Sequence, residues 1–230
     1  MTDRRHIQEG KMNLETERGF IMAEKLDFKK EYKDIYLPKK EPMLIEIPEI
    51  RYLMVDGEGA PESADYQEAM QLLYTLSFTI KMSKLNGCEP EHYVDYVVPP
   101  LEGLWDCGAG GFDLDRNRWK WTSLLRQPDF VTQAVFEWAC ENARKKKPDL
   151  DFGRVRLQGF REGLCVQMMH TGPYATEQET IDRIAAFIAE NGLIDECGGE
   201  RRHHEVYLSD PRRTAPEKLK TVIRHPVARK

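Results

Sequence analysis

Two halves of this chain spell the same order of segments, and that repetition limits its possible folds more than any single motif does. In the first half the apolar run MLIEIPEIRYLMVDGEG reads as one strand interrupted at Pro48, or as two in succession, and stops at Gly57 and Gly59. Over 65–84, Ala69, Met70, Leu72, Leu73, Leu76 and Ile80 recur at helical spacing behind Ser63, a good N-cap. A loop, NGCEPE, leads to the β-rich HYVDYVVPP and then LEGLW, while RWKWTSLLRQ alternates as a closing strand. In the second half VRLQGFREGLCVQMMHTGPY is strand-like and ends in a Gly-Pro turn. Ile181, Ile184, Ala185 and Ile188 then fall at i, i+3, i+4 and i+7 within a helix over 177–190, closed by Gly192. The loop IDECGGERR, the strand HHEVYLSDP and the ending KLKTVIRHPV complete the series. The separation of Gly57 from Tyr96 is close to that of Gly172 from Tyr207, so the expectation is an internal duplication: strand, helix, strand, strand, twice over.

A helix starting at Pro128 or Asp129 and running to about 147 links the halves, with Phe130, Ala134, Phe136 and Trp138 on its apolar side and a basic run at its C-terminus, where the helix dipole favours cations. That organisation gives one domain over 25–227, made of a first module at about 43–127, the linking helix at about 128–147 and a second module at about 154–227. Residues 1–24 lack a sustained period and read as a flexible leader, with Met22 an alternative start.

At 230 residues, with 40% hydrophobic and 32% charged side chains, the chain has enough apolar material for a sizeable core and the profile of a soluble globular protein. A net charge of −5 gives no general attraction to nucleic acid or to an anionic membrane, and no apolar run approaches the ~20 residues of a membrane span. Cys88, Cys107, Cys140, Cys165 and Cys197 are odd in number, scattered and without a C-x-x-C pair, which reads as reduced thiols in the cytoplasm. His203 and His204 are adjacent and face opposite ways in a strand, so no metal is expected, and no cofactor is called for.

The chemistry gathers on HHEVYLSDP. A two-residue period points Glu205 and Tyr207 to one face and Val206 and Leu208 to the other. The duplicated order, the turn HTGPY before the second helix and this strand resemble the GyrI-like (gyrase-inhibitor-like) small-molecule-binding domain, over nearly the whole chain. YVVPPLEGLW, RQPDFV and the ending HHEVYLSDPRRTAPEKLKTVIRHPV further resemble its free-standing branch, which includes hydrolases of cyclopropane-containing genotoxins. The resemblance implies an α+β fold: two pseudo-symmetric modules whose helices pack on one side of curved antiparallel sheets, leaving a ligand groove between the halves. It also implies a strand glutamate at the floor of an aromatic-lined pocket, a position that Glu205 matches. No DNA-binding segment precedes the domain, so direct transcriptional control is not expected.

A carboxylate in such a pocket has two uses. It can hold a cationic amphipathic ligand, with aromatic faces adding about 0.5 to 2 kcal/mol each. It can also take a proton from water, because desolvation raises its basicity toward what general-base catalysis needs. In the second case Glu205 directs water at a strained ring carbon and Tyr207 donates to the oxygen that becomes a phenol. Glu102 in PPLEGLW is a second candidate acid, if a bulge at Gly103 brings it to the same face as Trp105. Trp105, Tyr96, Trp121 and Phe160 are candidate pocket walls, although each taken alone reads as a core aromatic. Tyr174 is a packing residue of the turn or a ligand contact, and His170 reads as a satisfied turn histidine. Three functions follow in order: a hydrolase of strained rings in DNA-alkylating natural products, a protein that sequesters hydrophobic or cationic compounds, and, last, a partner of gyrase, for which no concentrated acidic block is visible. The expected partner is a hydrophobic or aromatic small molecule bound by a monomer or homodimer.

Overall fold

A computed structural model describes residues 25–106, 115–198 and 200–230. In chain order its elements are α1 (Phe28–Glu31), α2 (Lys33–Tyr36), β1 (Met43–Glu58), α3 (Ala64–Lys81), β2 (Leu101–Trp105), β3 (Lys120–Arg126), α4 (Gln133–Lys146), β4 (Arg156–Thr171), α5 (Glu177–Glu190), β5 (Leu193–Asp195), β6 (His203–Tyr207) and β7 (Lys220–Arg229). The mixture of helices with an antiparallel sheet makes this an α+β protein. The strands run β4-β1-β3-β2-β6-β7, and β7 pairs back onto β4, so the sheet closes on itself like a barrel; β5 extends the far end of β7.

Pro48 does not break β1. The ladder to β4 continues on both sides of it, Ile47 opposite Gly163 and Glu49 opposite Arg161, while β3 pairs only with Tyr52–Glu58. Pro48 therefore sits where one edge of β1 has no neighbour and its missing N–H costs no ladder bond. Ser63 caps α3 as its sequence suggests, its Oγ accepting from Tyr66 N at 3.2 Å. The fully buried Ala69, Leu72, Leu73, Leu76 and Ile80 are the helical stripe that α3 turns inward. Under α5 a second apolar cluster joins Ile184 and Ile188 to Val166, Met168, Ile223 and Val227.

Three segments differ from their expected form. HYVDYVVPP makes only a single bridge, Leu26 to Tyr96. Prolines bound it closely, and Tyr96 instead buries its ring and donates from its hydroxyl to Ser77 O at 3.1 Å. The linking helix α4 starts at Gln133 rather than at Pro128 or Asp129, because Thr132 Oγ1 takes the N-cap role on Val135 N and the preceding residues form a turn closed by Val131 N on Pro128 O. Within IDECGGERR, Leu193–Asp195 adds to β7 as a strand. The leader 1–24 and Cys107 lie outside the described residues. Among the described helices none is long and apolar enough to cross a membrane.

Candidate functional site

Period-two alternation in β6 sends its side chains to two very different places. His204 and Val206 enter the interior of the closed sheet, whereas His203, Glu205 and Tyr207 face outward toward α3 and α5. Glu102 follows His204 inward. The β2 register is continuous on both sides, Gly103 opposite Ser123 and Glu205, Trp105 opposite Trp121 and His203, so no bulge forms and Glu102 and Trp105 face oppositely.

In the interior Glu102 is 1% exposed. Its Oε1 accepts from Tyr36 OH at 3.2 Å, its Oε2 accepts from Tyr52 OH at 3.1 Å, and His204 Nε2 lies 3.1 Å from Oε2. His204 Nδ1 meets Glu162 Oε2 at 2.9 Å, and Arg224 Nη1 donates to that same oxygen at 2.7 Å. Burial pushes the Glu162 carboxyl up, but the His204 and Arg224 charges prevail and hold it at about 2. For His204, burial opposes the charge, yet Glu162 and Glu102 raise it to about 8. Glu162 thus faces two cations inside the sheet, the condition under which a buried charge is tolerated. Glu102 belongs to this network, not to a ligand surface.

On the outer side a cavity of about 1440 Å³ is lined by α3 (Tyr66, Met70, Tyr74, Phe78), by α5 (Glu177, Ile181), by Trp105 of β2, by Tyr174, and by Glu205 and Tyr207 of β6. That exceeds the ~300–1,000 Å³ of drug-sized pockets. Tyr66 stacks on Trp105 with centroids 5.7 Å apart, Trp119 meets Trp105 edge-on at 5.8 Å, and Tyr174 meets Tyr207 edge-on at 6.1 Å. At the mouth Phe78, Met82 and Tyr174 remain exposed.

Glu205 lies at the floor, its side chain 12% exposed, with Oε1 2.9 Å from His203 Nε2. Tyr207 OH accepts from Trp105 Nε1 at 2.9 Å, which leaves its own proton for Glu205. Burial, and then the Glu205 charge, raise Tyr207 well above the ordinary phenol value. Tyr66 is raised for the same two reasons. Gly103 makes the arrangement possible: a Cβ there would stand 2.8 Å from Trp105 Nε1 and 3.0 Å from Tyr207 OH, so only glycine lets these side chains meet over β2.

Sequence reasoning missed the second acid of the cavity. Glu177, in the first turn of α5, is 8% exposed, and its Oε1 has no hydrogen-bond partner among the described residues. Burial first, and then the neighbouring Glu205 charge, push its carboxyl up to about 9. It is neutral at pH 7, although a helix N-terminus by itself favours the charged form. Tyr174, raised to about 12 by burial and by Glu177 and Glu205, stands over the pair. His170 fixes the start of α5 through Thr180 Oγ1 at 2.8 Å and Pro173 O at 3.3 Å, the satisfied turn role.

Of the residues singled out by sequence, the structure brings Glu205, Tyr207, Trp105 and Tyr174 together. Glu102, Tyr96, Trp121 and Phe160 do not line this cavity. Trp121, 1% exposed, backs the wall by meeting Tyr66 edge-on at 5.0 Å and donating to Gly59 O. Phe160 lies on β4 opposite Ile50, beside a cavity of only about 50 Å³. Elsewhere Asp195, Cys197 and His225 bring three ligand atoms within 4.8 Å of one another. That is one short of the four a structural zinc takes, and no metal is assigned to them.

A closed antiparallel sheet whose outer face floors a helix-walled aromatic cavity is the build of a small-molecule-binding domain. Residues 132–228 match the GyrI-like small molecule binding domain. A hydrolase from Listeria innocua is 52% identical, with 89% of this chain and 100% of that one covered and a TM-score of 0.83. An uncharacterized conserved protein from Listeria innocua is 55% identical over the same shares, with a TM-score of 0.85. The chain belongs to the GyrI-like family. The EcmrR C-terminal domain, 13% identical over 83% of this chain and 98% of its own with a TM-score of 0.50, shares the fold alone. A comparison with curated proteins gave no match.

Proposed function

We propose that the protein is a cytoplasmic hydrolase that opens the strained cyclopropane ring of hydrophobic, DNA-alkylating natural products held in a groove between two duplicated modules. The observation that carries this reading is the cluster at the cavity floor: Glu205 beside Glu177, whose carboxyl is pushed up to about 9, with the phenols of Tyr207 and Tyr66 in the same aromatic enclosure. An acid kept neutral by its surroundings, next to a second carboxyl, can supply both halves of acid–base catalysis. Glu205 takes a proton from a water whose oxygen bonds to the ring CH₂. The ring C–C bond breaks, its electron pair passes into the conjugated dienone, and the carbonyl oxygen collects a proton from Glu177 or Tyr207 to become a phenol. The net change is the addition of one water. The 52% identity to a protein described as a hydrolase supports the class of reaction.

The test incubates purified protein with a cyclopropane-containing alkylating compound and follows ring opening by chromatography. Loss of turnover of about 10²-fold or more in Glu205→Gln, with turnover retained in folded Glu102→Gln, is the expected result. Saturable binding without turnover in the wild type would replace hydrolysis by sequestration.

A further inference from the structure

Glu205 is the inner end of a line of titratable groups that runs to the protein surface. His203 Nε2 lies 2.9 Å from Glu205 Oε1, and His203 Nδ1 lies 2.9 Å from His225 Nε2. His225 Nδ1 in turn faces Asp195 Oδ2 at 3.7 Å, within ion-pair reach. Both imidazoles are buried, at 1% and 6% exposure, while the Asp195 side chain is 39% exposed. The strands dictate the alignment: His203 and Glu205 are two apart on β6, β7 pairs with β6, and β5 lays Asp195 opposite Val227 on β7.

Proton counting gives this line a direction. Each of its three contacts needs one proton, and two neutral imidazoles carry only two between them. While both carboxylates are ionised, the His203–His225 pair completes all three contacts only by holding a third proton, shared between two buried rings. We propose that His203 and His225 are a proton relay that exchanges the proton of Glu205 with solvent at Asp195. The role rests on the hydrolase reading above. After Glu205 has taken the proton of the attacking water, the His225 Nδ1 proton leaves through Asp195 to solvent. The proton between the rings then settles on His225 Nε2, which leaves both rings neutral; each ring exchanges its tautomer from Nε2–H to Nδ1–H, and the proton of Glu205 fills the vacated His203 Nε2, so that all three contacts again hold one proton each. One proton has left Glu205 and one has entered bulk water, and the carboxylate is ready for the next turnover. Asp195 and Cys197 face the outer ring, and Glu205, with Glu177 and Tyr207 behind it, faces the inner one. Histidine is the side chain suited to pass protons between such ends near neutrality.

His225→Ala is expected to lower steady-state turnover at least tenfold in dilute, non-imidazole buffer while a first turnover still opens the ring. Added imidazole restores the later turnovers in proportion to its concentration, and the pH profile shifts with the buffer. A loss that imidazole leaves untouched, or no loss, overturns the relay. Because His225→Ala could disturb β7, Asp195→Asn and wild type are also followed by ¹⁵N NMR of labelled histidines. Asp195→Asn should alter the protonation of His203 as well as His225, and a change confined to His225 overturns the relay. If wild type opens no ring, the hydrolase reading has failed, and the NMR result still decides whether the proton line exists.

Discussion

Replacing Glu177 by Gln should make this protein more stable, and by an amount that depends on pH. The carboxyl lies near 4.5 in an unfolded chain and is pushed up to about 9 in the fold by burial and by Glu205. Below pH 4.5 it is protonated in both states and costs nothing. Between 4.5 and 9 the unfolded chain is ionised while the folded one is not, so the unfolded state gains and stability falls as pH rises, by about 1.4 kcal/mol per unit. At pH 7 the accumulated penalty reaches roughly 3 kcal/mol at most, from about two and a half units of that slope. Gln mimics the neutral acid in shape and cannot ionise, so Glu177→Gln removes the penalty. For a chain of 230 residues at about 2–4 °C per kcal/mol, thermal unfolding at pH 7 should rise by roughly 6–12 °C at most. Scanning calorimetry of wild type and Glu177→Gln from pH 4.5 to 8.5 should show two curves that meet at the acid end and separate steadily above it. Glu205→Gln should move wild-type behaviour toward the variant, because it removes the charge that disfavours a second carboxylate. A melting difference that stays constant across that range would refute the assignment of Glu177 as a buried neutral acid coupled to Glu205.

Other expectations follow from the same contacts. Gly103→Ala puts a methyl 2.8 Å from Trp105 Nε1 and should cost about 1–3 kcal/mol in urea unfolding while weakening binding of a polycyclic ligand in fluorescence titration; an unchanged affinity would show that the Trp105–Tyr207 contact does not shape the cavity. Glu162→Gln strips the charge that faces fully buried Arg224 and His204, and should cost about 3–5 kcal/mol; a loss below 1 kcal/mol would mean that the network relaxes freely. The folded Glu162 carboxyl, at about 2, is depressed below its ordinary 4.5, so its share of stability is present above pH 4.5 and is lost as pH falls toward 2; acid unfolding of Glu162→Gln should lack that component.

How much of this could be read from the sequence depends on how far apart the cooperating residues lie. Glu205 and Tyr207 were legible because a strand's period of two fixes their shared face without reference to anything else. The same period already set Glu102 against Trp105, and the proposed bulge at Gly103 overrode it. The glycine is there for another reason, the passage of Trp105 and Tyr207 side chains over β2, which only the register with β6 reveals. α5 was legible from its spacing, bounds included, yet its periodicity marks only which residues face the core. It says nothing about what waits at the first turn, where Glu177 lies buried beside the cavity.

The interior network shows where local rules end. Tyr36, Tyr52, Glu102, Glu162, His204 and Arg224 come from six separate segments, and each taken alone looks like a surface or core residue of its own strand or helix. Their common destination is set by the closure of β7 onto β4, a long-range pairing that no window of sequence contains. That closure also explains why two glutamates within a few ångströms of β6 have opposite fates. Glu102 points into the buried interior, where Tyr36, Tyr52 and His204 already occupy its carboxylate oxygens. Glu205 points out to a cavity where the neighbouring Glu177 carboxyl is pushed up to about 9 by burial and by Glu205, so a neutral acid stands there as a ready proton donor.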